Sequence, residues 1–240
     1  MEPDREKNNG KNPHKGHRER VRRRFVAGGL DGFTEHEALE LLLCYAIPRR
    51  DVNGLAHRLI ERFGGLAGVL DAPLDDLTET EGVGERAAVL IKLVPQLSRK
   101  YMLSHLGDGK NAVLDNVEKA GQFFVPFFHA RTDEAVYLAC LDPRCRLISC
   151  RVLAEGNEAF AAITIKQVLE TAVRERAFSI ILAHNHPNGV ALPSREDDNF
   201  TRTLYRSLGL LGITLEDHII VANDEFVSLA DSGVMHLFKY

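Results

Sequence analysis

The chain has 240 residues, 45% of them apolar, and a formal net charge of -4. That length and apolar content suffice for more than one packed core, so two domains are expected, and the mild acidity excludes a protein that coats nucleic acid by bulk charge. The first residues are charged and polar, and no apolar run approaches the ~20 residues of a membrane-spanning helix, so a cytoplasmic protein with no membrane association is expected.

Residues 1–16 are polar, with Asn8, Asn9, Gly10, Asn12 and Pro13, and read as a disordered tail. The basic stretch from His17 to Phe25 follows, either a solvated helix face or a phosphate-contacting patch. Thr34-Glu35-His36-Glu37 reads as a capping box opening a helix over the apolar run Ala38 to Ile47, which Pro48 ends. Asp51 caps another helix, with Leu55, Ala56, Leu59, Ile60 and Phe63 at helical spacing and Gly64-Gly65 as its stop. A third long helix is expected from about Glu85 to Tyr101, burying Ala88, Ile91 and Leu97. Between them, Leu77 to Ala88 resembles a helix-hairpin-helix signature, in which Gly82 and Gly84 permit a tight turn toward a phosphate while Glu79, Glu81 and Glu85 oppose one. Residues 17–102 therefore read as a small all-helical domain, and 103–112 as a linker.

The pattern then changes class. Ala135 to Leu141 and Leu147 to Leu153 read as strands around a turn at Asp142-Pro143-Arg144, and Thr164 to Ala177 as an amphipathic helix. Phe178 to Ala183 reads as a buried strand, Arg195 to Leu208 as a helix, and Ile213 to Val221 and Phe226 to Leu229 as strands. Residues 113–240 are thus an α/β domain. Its cysteines, Cys140, Cys145 and Cys150, and Cys44 upstream form no CxxC pair and read as reduced structural thiols.

Chemistry concentrates between Ala183 and Asp197. His184 and His186, two apart at a strand's end, point to one face, so both imidazoles can reach one ion. Pro187, Asn188, Gly189 and Pro193 compel a loop that returns the chain, and Asp197, in the first turn of the next helix, supplies a carboxylate oxygen. Two nitrogens and one oxygen leave a tetrahedral position open for water, as in a catalytic zinc site, although other divalent ions suit the same donors. Ser194 and Asp197 also read as a helix-capping pair, and a serine hydroxyl beside an open metal position can donate to a developing oxyanion.

His-x-His, seven residues, Ser, two residues, Asp resembles the JAMM motif of MPN-domain metallopeptidases. More narrowly, the chain resembles the RadC family, through His184 to Gly189 with Pro193-Ser194, Asp217 to Ile220 and Ser228, and through Gly16 to Arg20, Glu40 to Leu43 and Pro48 to Asp51 in the helical half. The resemblance implies an α/β MPN fold of the JAB, cytidine-deaminase-like type with a mixed sheet, one Zn2+ per chain, and a peptide or isopeptide as substrate class; ligation alone suits other hydrolyses, including deamination of a base. It also implies a glutamate from an earlier strand that takes a proton from the zinc-bound water. Glu134 is the choice and Glu155 the runner-up, with Ser194 stabilising the oxyanion. His218 reads as an ordinary buried histidine paired with Asp217, with support of the metal ligands as its other reading. Asn188 and Ile165-Lys166-Gln167 depart from the family's usual Ser and Pro-Arg-Glu, which bears on substrate contacts. The alternative function is a DNA-associated repair or recombination protein that contacts DNA through its helical domain and holds zinc without useful turnover.

Overall fold

The computed structural model describes residues 16–106, 112–157, 159–187 and 189–239. Most of the expected tail, part of the expected linker and Asn188 lie outside the described residues. The chain divides into two compact units, Met1–Pro95 and Gln96–Tyr240.

The first unit contains α1 (His17–Gly28), α2 (Glu35–Ala46), α3 (Asn53–Phe63), α4 (Leu66–Asp71), α5 (Leu74–Thr78) and the first part of α6 (Glu85–Leu106). The capping box at Thr34 and Glu37 opens α2, and Gly64, in the left-handed region at φ 78°, closes α3. Leu39, Leu43, Ala56, Leu59, Val69, Leu77, Ala88 and Ile91 are fully buried in one core, each large aliphatic side chain contributing roughly 1.5–3 kcal/mol. Leu97, expected inside, is instead 56% exposed. It follows Pro95 on α6, where that helix has left the first core, and α6 runs on to Leu106 over positions that read as linker.

The helical unit's motif residues bond mostly to groups within that unit. Glu40, 1% exposed, accepts from Asn53 Nδ2 at 2.9 Å and lies 2.8 Å from His17 Nε2. The Arg18 guanidinium donates to the carbonyls of Cys44 at 3.2 Å, Ile47 at 2.7 Å and Arg50, closing the open end of α2. Arg24 grips Glu37 through two contacts of 2.9 and 2.6 Å, and this side-chain bond, with that from the Thr34 backbone, pushes the Glu37 carboxyl down to about 2. Arg22 and Arg23 both bind Glu19. Most of the basic segment's charge is therefore engaged within the chain.

The second unit is built on a five-stranded sheet of order β2-β1-β3-β4-β5, from β1 (Glu134–Leu141), β2 (Leu147–Gly156), β3 (Ser179–Asn185), β4 (Thr214–Ala222) and β5 (Glu225–Ser228). β3 and β4 are parallel and the other neighbours antiparallel, which makes the sheet mixed, as expected. The central strands β1 and β3 are buried on both faces, which is why they read as continuous apolar runs. One face packs under α8 (Ala159–Ala162), α9 (Ile165–Arg174), α10 (Arg195–Leu210) and the closing 3-10 turn Val234–Lys239. The other packs under α7 (Val117–Phe128), which the sequence reading missed because Pro126 and its four phenylalanines obscure a helical period. Gly121 on α7 meets the ring of Phe226 so closely that a Cβ has no room.

No helix of the described residues is long and apolar enough to cross a membrane. The four cysteines are free thiols, and burial pushes Cys140 up to about 11 and Cys150 to about 12, which keeps both protonated and inert.

Candidate metal centre

The candidate centre lies where β3 ends. Alternation along β3 sends the side chains of Ile180, Leu182 and His184 into the core beneath α9 and α10, and His186 keeps that parity one residue beyond the strand. The His186 N–H donates to the Val221 carbonyl at 2.9 Å, so the chain stays in line with β4 before it turns. The loop then returns to Ser194, the N-cap of α10. There Ser194 N–H donates to Asp197 Oδ2 at 2.7 Å and Asp197 N–H donates to Ser194 Oγ at 3.1 Å. This reciprocal cap turns the Asp197 carboxylate back toward the histidines.

His184 Nε2 stands 2.9 Å from His186 Nε2 and 3.2 Å from Asp197 Oδ1, and His186 Nε2 stands 3.6 Å from Asp197 Oδ2. His184 and Asp197 are almost wholly buried, at 1% and 2% exposure. One potential ligand atom from each residue lies within 4.8 Å of the others. Donors about 2.0–2.2 Å from a tetrahedral ion stand roughly 3.3–3.6 Å apart, so the distances to Asp197 suit a single small divalent cation, while the two imidazole nitrogens, at 2.9 Å, would have to part by a few tenths of an ångström to share it.

Burial pushes the His184 imidazole below its ordinary value, against the pull of Asp197, and keeps it neutral as a metal ligand must be. His186 is partly buried and shifts the other way, raised first by its contact with Asp197. Burial works to raise the Asp197 carboxyl, but the adjacent His184 and His186 rings and the bond with Ser194 outweigh it and hold the group ionised far below the usual carboxylate range.

A chain of hydrogen bonds fixes which nitrogen of His184 is free. Thr201 Oγ1 uses its one proton on the Asp197 carbonyl at 2.6 Å, so toward His218 Nδ1, also at 2.6 Å, it accepts. His218 then carries its proton on Nδ1 and offers a lone pair at Nε2, which receives the His184 Nδ1 proton at 2.9 Å. What remains on His184 is the Nε2 lone pair, aimed at His186 and Asp197. Burial, with His184 alongside, drives His218 well below its ordinary value, consistent with a neutral ring. Phe160 covers the pair, its ring centroid 4.3 Å from that of His184 and 5.6 Å from that of His218.

This corrects the sequence reading of His218. Its ring is not paired with Asp217. Neighbouring strand residues point to opposite faces, and the Asp217 carboxylate instead accepts from Ser228 Oγ at 2.6 Å, the His218 backbone N–H at 2.7 Å and the Ala230 N–H at 2.9 Å. Thr201 was missed as well, although it lies one helical turn after Asp197 and so on the same helix face.

Strand register separates the two candidate glutamates. Val136 pairs with His184 and Glu134 with Gly156, while Glu155 pairs with Ala135. Directly opposed residues share a face and successive ones alternate, so Glu134 lies on the face of His184 and Glu155 on the other. Glu134 Oε2 accepts from the Phe160 N–H at 3.3 Å, and its charge acts on both His184 and His186. Glu155 instead forms a 2.7 Å ion pair with Arg131. Ser194 is exposed beside Asp197; its Oγ accepts the capping bond, which leaves the hydroxyl proton for another acceptor.

Residues 114–234 match the sequence profile of the RadC-like JAB domain. The chain is also 30% identical to "UPF0758 protein FN0909" of Fusobacterium nucleatum, over 92% of this chain and 98% of that relative. A UPF0758 protein of Alcanivorax borkumensis is 32% identical, over 90% of this chain and 96% of its own length.

Proposed function

This chain belongs to the RadC-like JAB domain family, and from that membership and its His-His-Asp group we propose that it is a zinc-dependent hydrolase acting on a peptide or isopeptide bond. The observation that carries the reading is the convergence of His184, His186 and Asp197 within 4.8 Å, with the far nitrogen of His184 already committed to His218. Three protein donors leave a coordination position for water, which separates a hydrolytic from a closed structural site.

When bound, zinc supplies Lewis acidity that makes water acidic enough to lose a proton near neutral pH. The work of the chain's own residues follows from their places. Glu134, on the face of His184, takes that proton and returns it to the leaving amine. Ser194 directs its free hydroxyl proton to the carbonyl oxygen as that oxygen gains charge. Phe160 shields the His184 side of the centre from bulk water.

The test is metal content by mass spectrometry on protein purified without added zinc, comparing wild type with a folded His184→Ala, His186→Ala double variant. About one zinc per chain in the first and none in the second is expected for a site of this donor set. Equal or absent zinc in both removes the metal-centre reading, whereas bound zinc with no hydrolysis in a peptide screen moves weight to the DNA-associated alternative, which holds zinc without turnover. That alternative predicts DNA binding that weakens with salt and survives metal removal.

A further inference from the structure

We infer that Asn185, the residue between the two histidines, is a positioning residue that holds Glu134 in place beside the metal centre. The inference rests on Glu134 acting as proposed above. Glu134 is the first residue of β1, and the pairing of β1 with β3 ends at Val136 and His184. Beyond that pair the backbone ladder no longer ties Glu134 to β3, and its backbone is held only on the other edge, by pairing with Gly156 of β2.

The Asn185 side chain supplies the tie on the β3 edge. Its Oδ1 accepts from the Ala135 N–H at 2.7 Å, and its Nδ2 donates to the Asp133 carbonyl at 3.1 Å. These are the backbone groups on either side of Glu134. The amide orientation follows from its partners, since an N–H only donates and a carbonyl only accepts. Asn185 is 3% exposed, so water does not compete for either bond. A side-chain amide presents one donor and one acceptor in a single plane; aspartate keeps only the acceptor and alanine neither. The same backbone that places His184 and His186 in the centre thus fixes, through the residue between them, the segment bearing the glutamate. Asn185 itself alternates to the face opposite His184 and spends its amide on Asp133 and Ala135, away from the ligand set.

The experiment uses the full chain loaded with Co2+ as a spectroscopic stand-in, and acetohydroxamate as the probe, because it chelates a metal through its oxygens and passes a proton to a neighbouring carboxylate. The proteins are wild type, Glu134→Gln, Asn185→Ala, Asn185→Asp and the Glu134→Gln, Asn185→Asp double variant. Each is titrated first with Co2+ and then with acetohydroxamate, following the visible absorption bands. The expected result is Co2+ affinity within about threefold of wild type throughout, and acetohydroxamate affinity weakened about tenfold or more in every variant, with no further loss in the double variant. Asn185→Asp, nearly the same size as asparagine, keeps the test valid if the alanine variant does not fold. Wild-type acetohydroxamate affinity in the Asn185 variants overturns the inference. So does loss of Co2+ in folded Asn185→Asp, which would make the residue a support of the ligands and not of Glu134. Failure of wild type to bind Co2+, or of Glu134→Gln to weaken the probe, instead overturns the reading of the centre itself, and the inference falls with it.

Discussion

Replacing Thr201 by valine tests whether a hydroxyl with no access to the metal position governs the centre. The side chains match in shape, so the change removes an O–H and little else. Thr201 is fully buried, donates at 2.6 Å to the Asp197 carbonyl and accepts at 2.6 Å from His218 Nδ1. Without it the His218 N–H has no acceptor in a dry site, a loss of about 1–3 kcal/mol for one unsatisfied buried group. For a chain of this size that lowers the thermal midpoint of the metal-free protein by roughly 3–10 °C. His218 is then free to carry its proton on Nε2, where it opposes the Nδ1 proton of His184 at 2.9 Å and favours the tautomer that blocks the ligand nitrogen. Zinc affinity, read by competition with a chromophoric chelator, is expected to fall about 10- to 100-fold, the usual cost of losing a group that orients a ligand. Thr201→Ser, which keeps the hydroxyl, retains the affinity. A folded Thr201→Val protein that binds zinc within about twofold of wild type refutes the reasoning, since orientation of His184 would then not depend on the chain of bonds.

Further outcomes follow from other contacts. Glu134→Gln keeps zinc but lowers peptide hydrolysis about 10^2- to 10^4-fold in a library screen, whereas Glu155→Gln leaves the rate near wild type. Zinc affinity falls as pH is lowered: Asp197 raises the His186 pKa above its ordinary value, and below that raised value each pH unit costs about tenfold, which chelator competition across pH 5–8 measures. Gly121→Ala drives a methyl into the Phe226 ring and lowers the unfolding midpoint, and Phe226→Leu in the same chain recovers part of the loss.

The centre was legible in the sequence to the extent that its geometry is local. His184 and His186 share a face by strand alternation alone, and Ser194 to Asp197 is a capping pattern that names its own helix start. What the sequence withheld is set by register. Glu134 and Glu155 are both strand-end glutamates, and only the opposition of Val136 to His184 and of Ala135 to Glu155 tells them apart. His218 looked like a partner for the adjacent Asp217, although strand alternation alone sends the two to opposite faces; that its ring meets His184 and Thr201 depends on how β4 lies against β3 and α10. Arg18 illustrates the same limit in the helical unit. Nothing in the basic run itself shows that this one arginine holds the carbonyls of Cys44, Ile47 and Arg50, which are brought to it from a different helix and the turn after it.

The placement of His218 on β4 also bears on how the protein is made. His184, His186 and Asp197 have all been synthesised before β4 begins at Thr214. At that stage β3 lacks its parallel neighbour, His184 has no acceptor for its Nδ1 proton, and the Val221 carbonyl that receives His186 N–H does not yet exist. Parallel pairing is slow because it closes a long loop before any contact rewards it. The acceptors that orient both imidazoles are thus supplied by a strand that follows the last candidate ligand in the chain and contributes no ligand of its own.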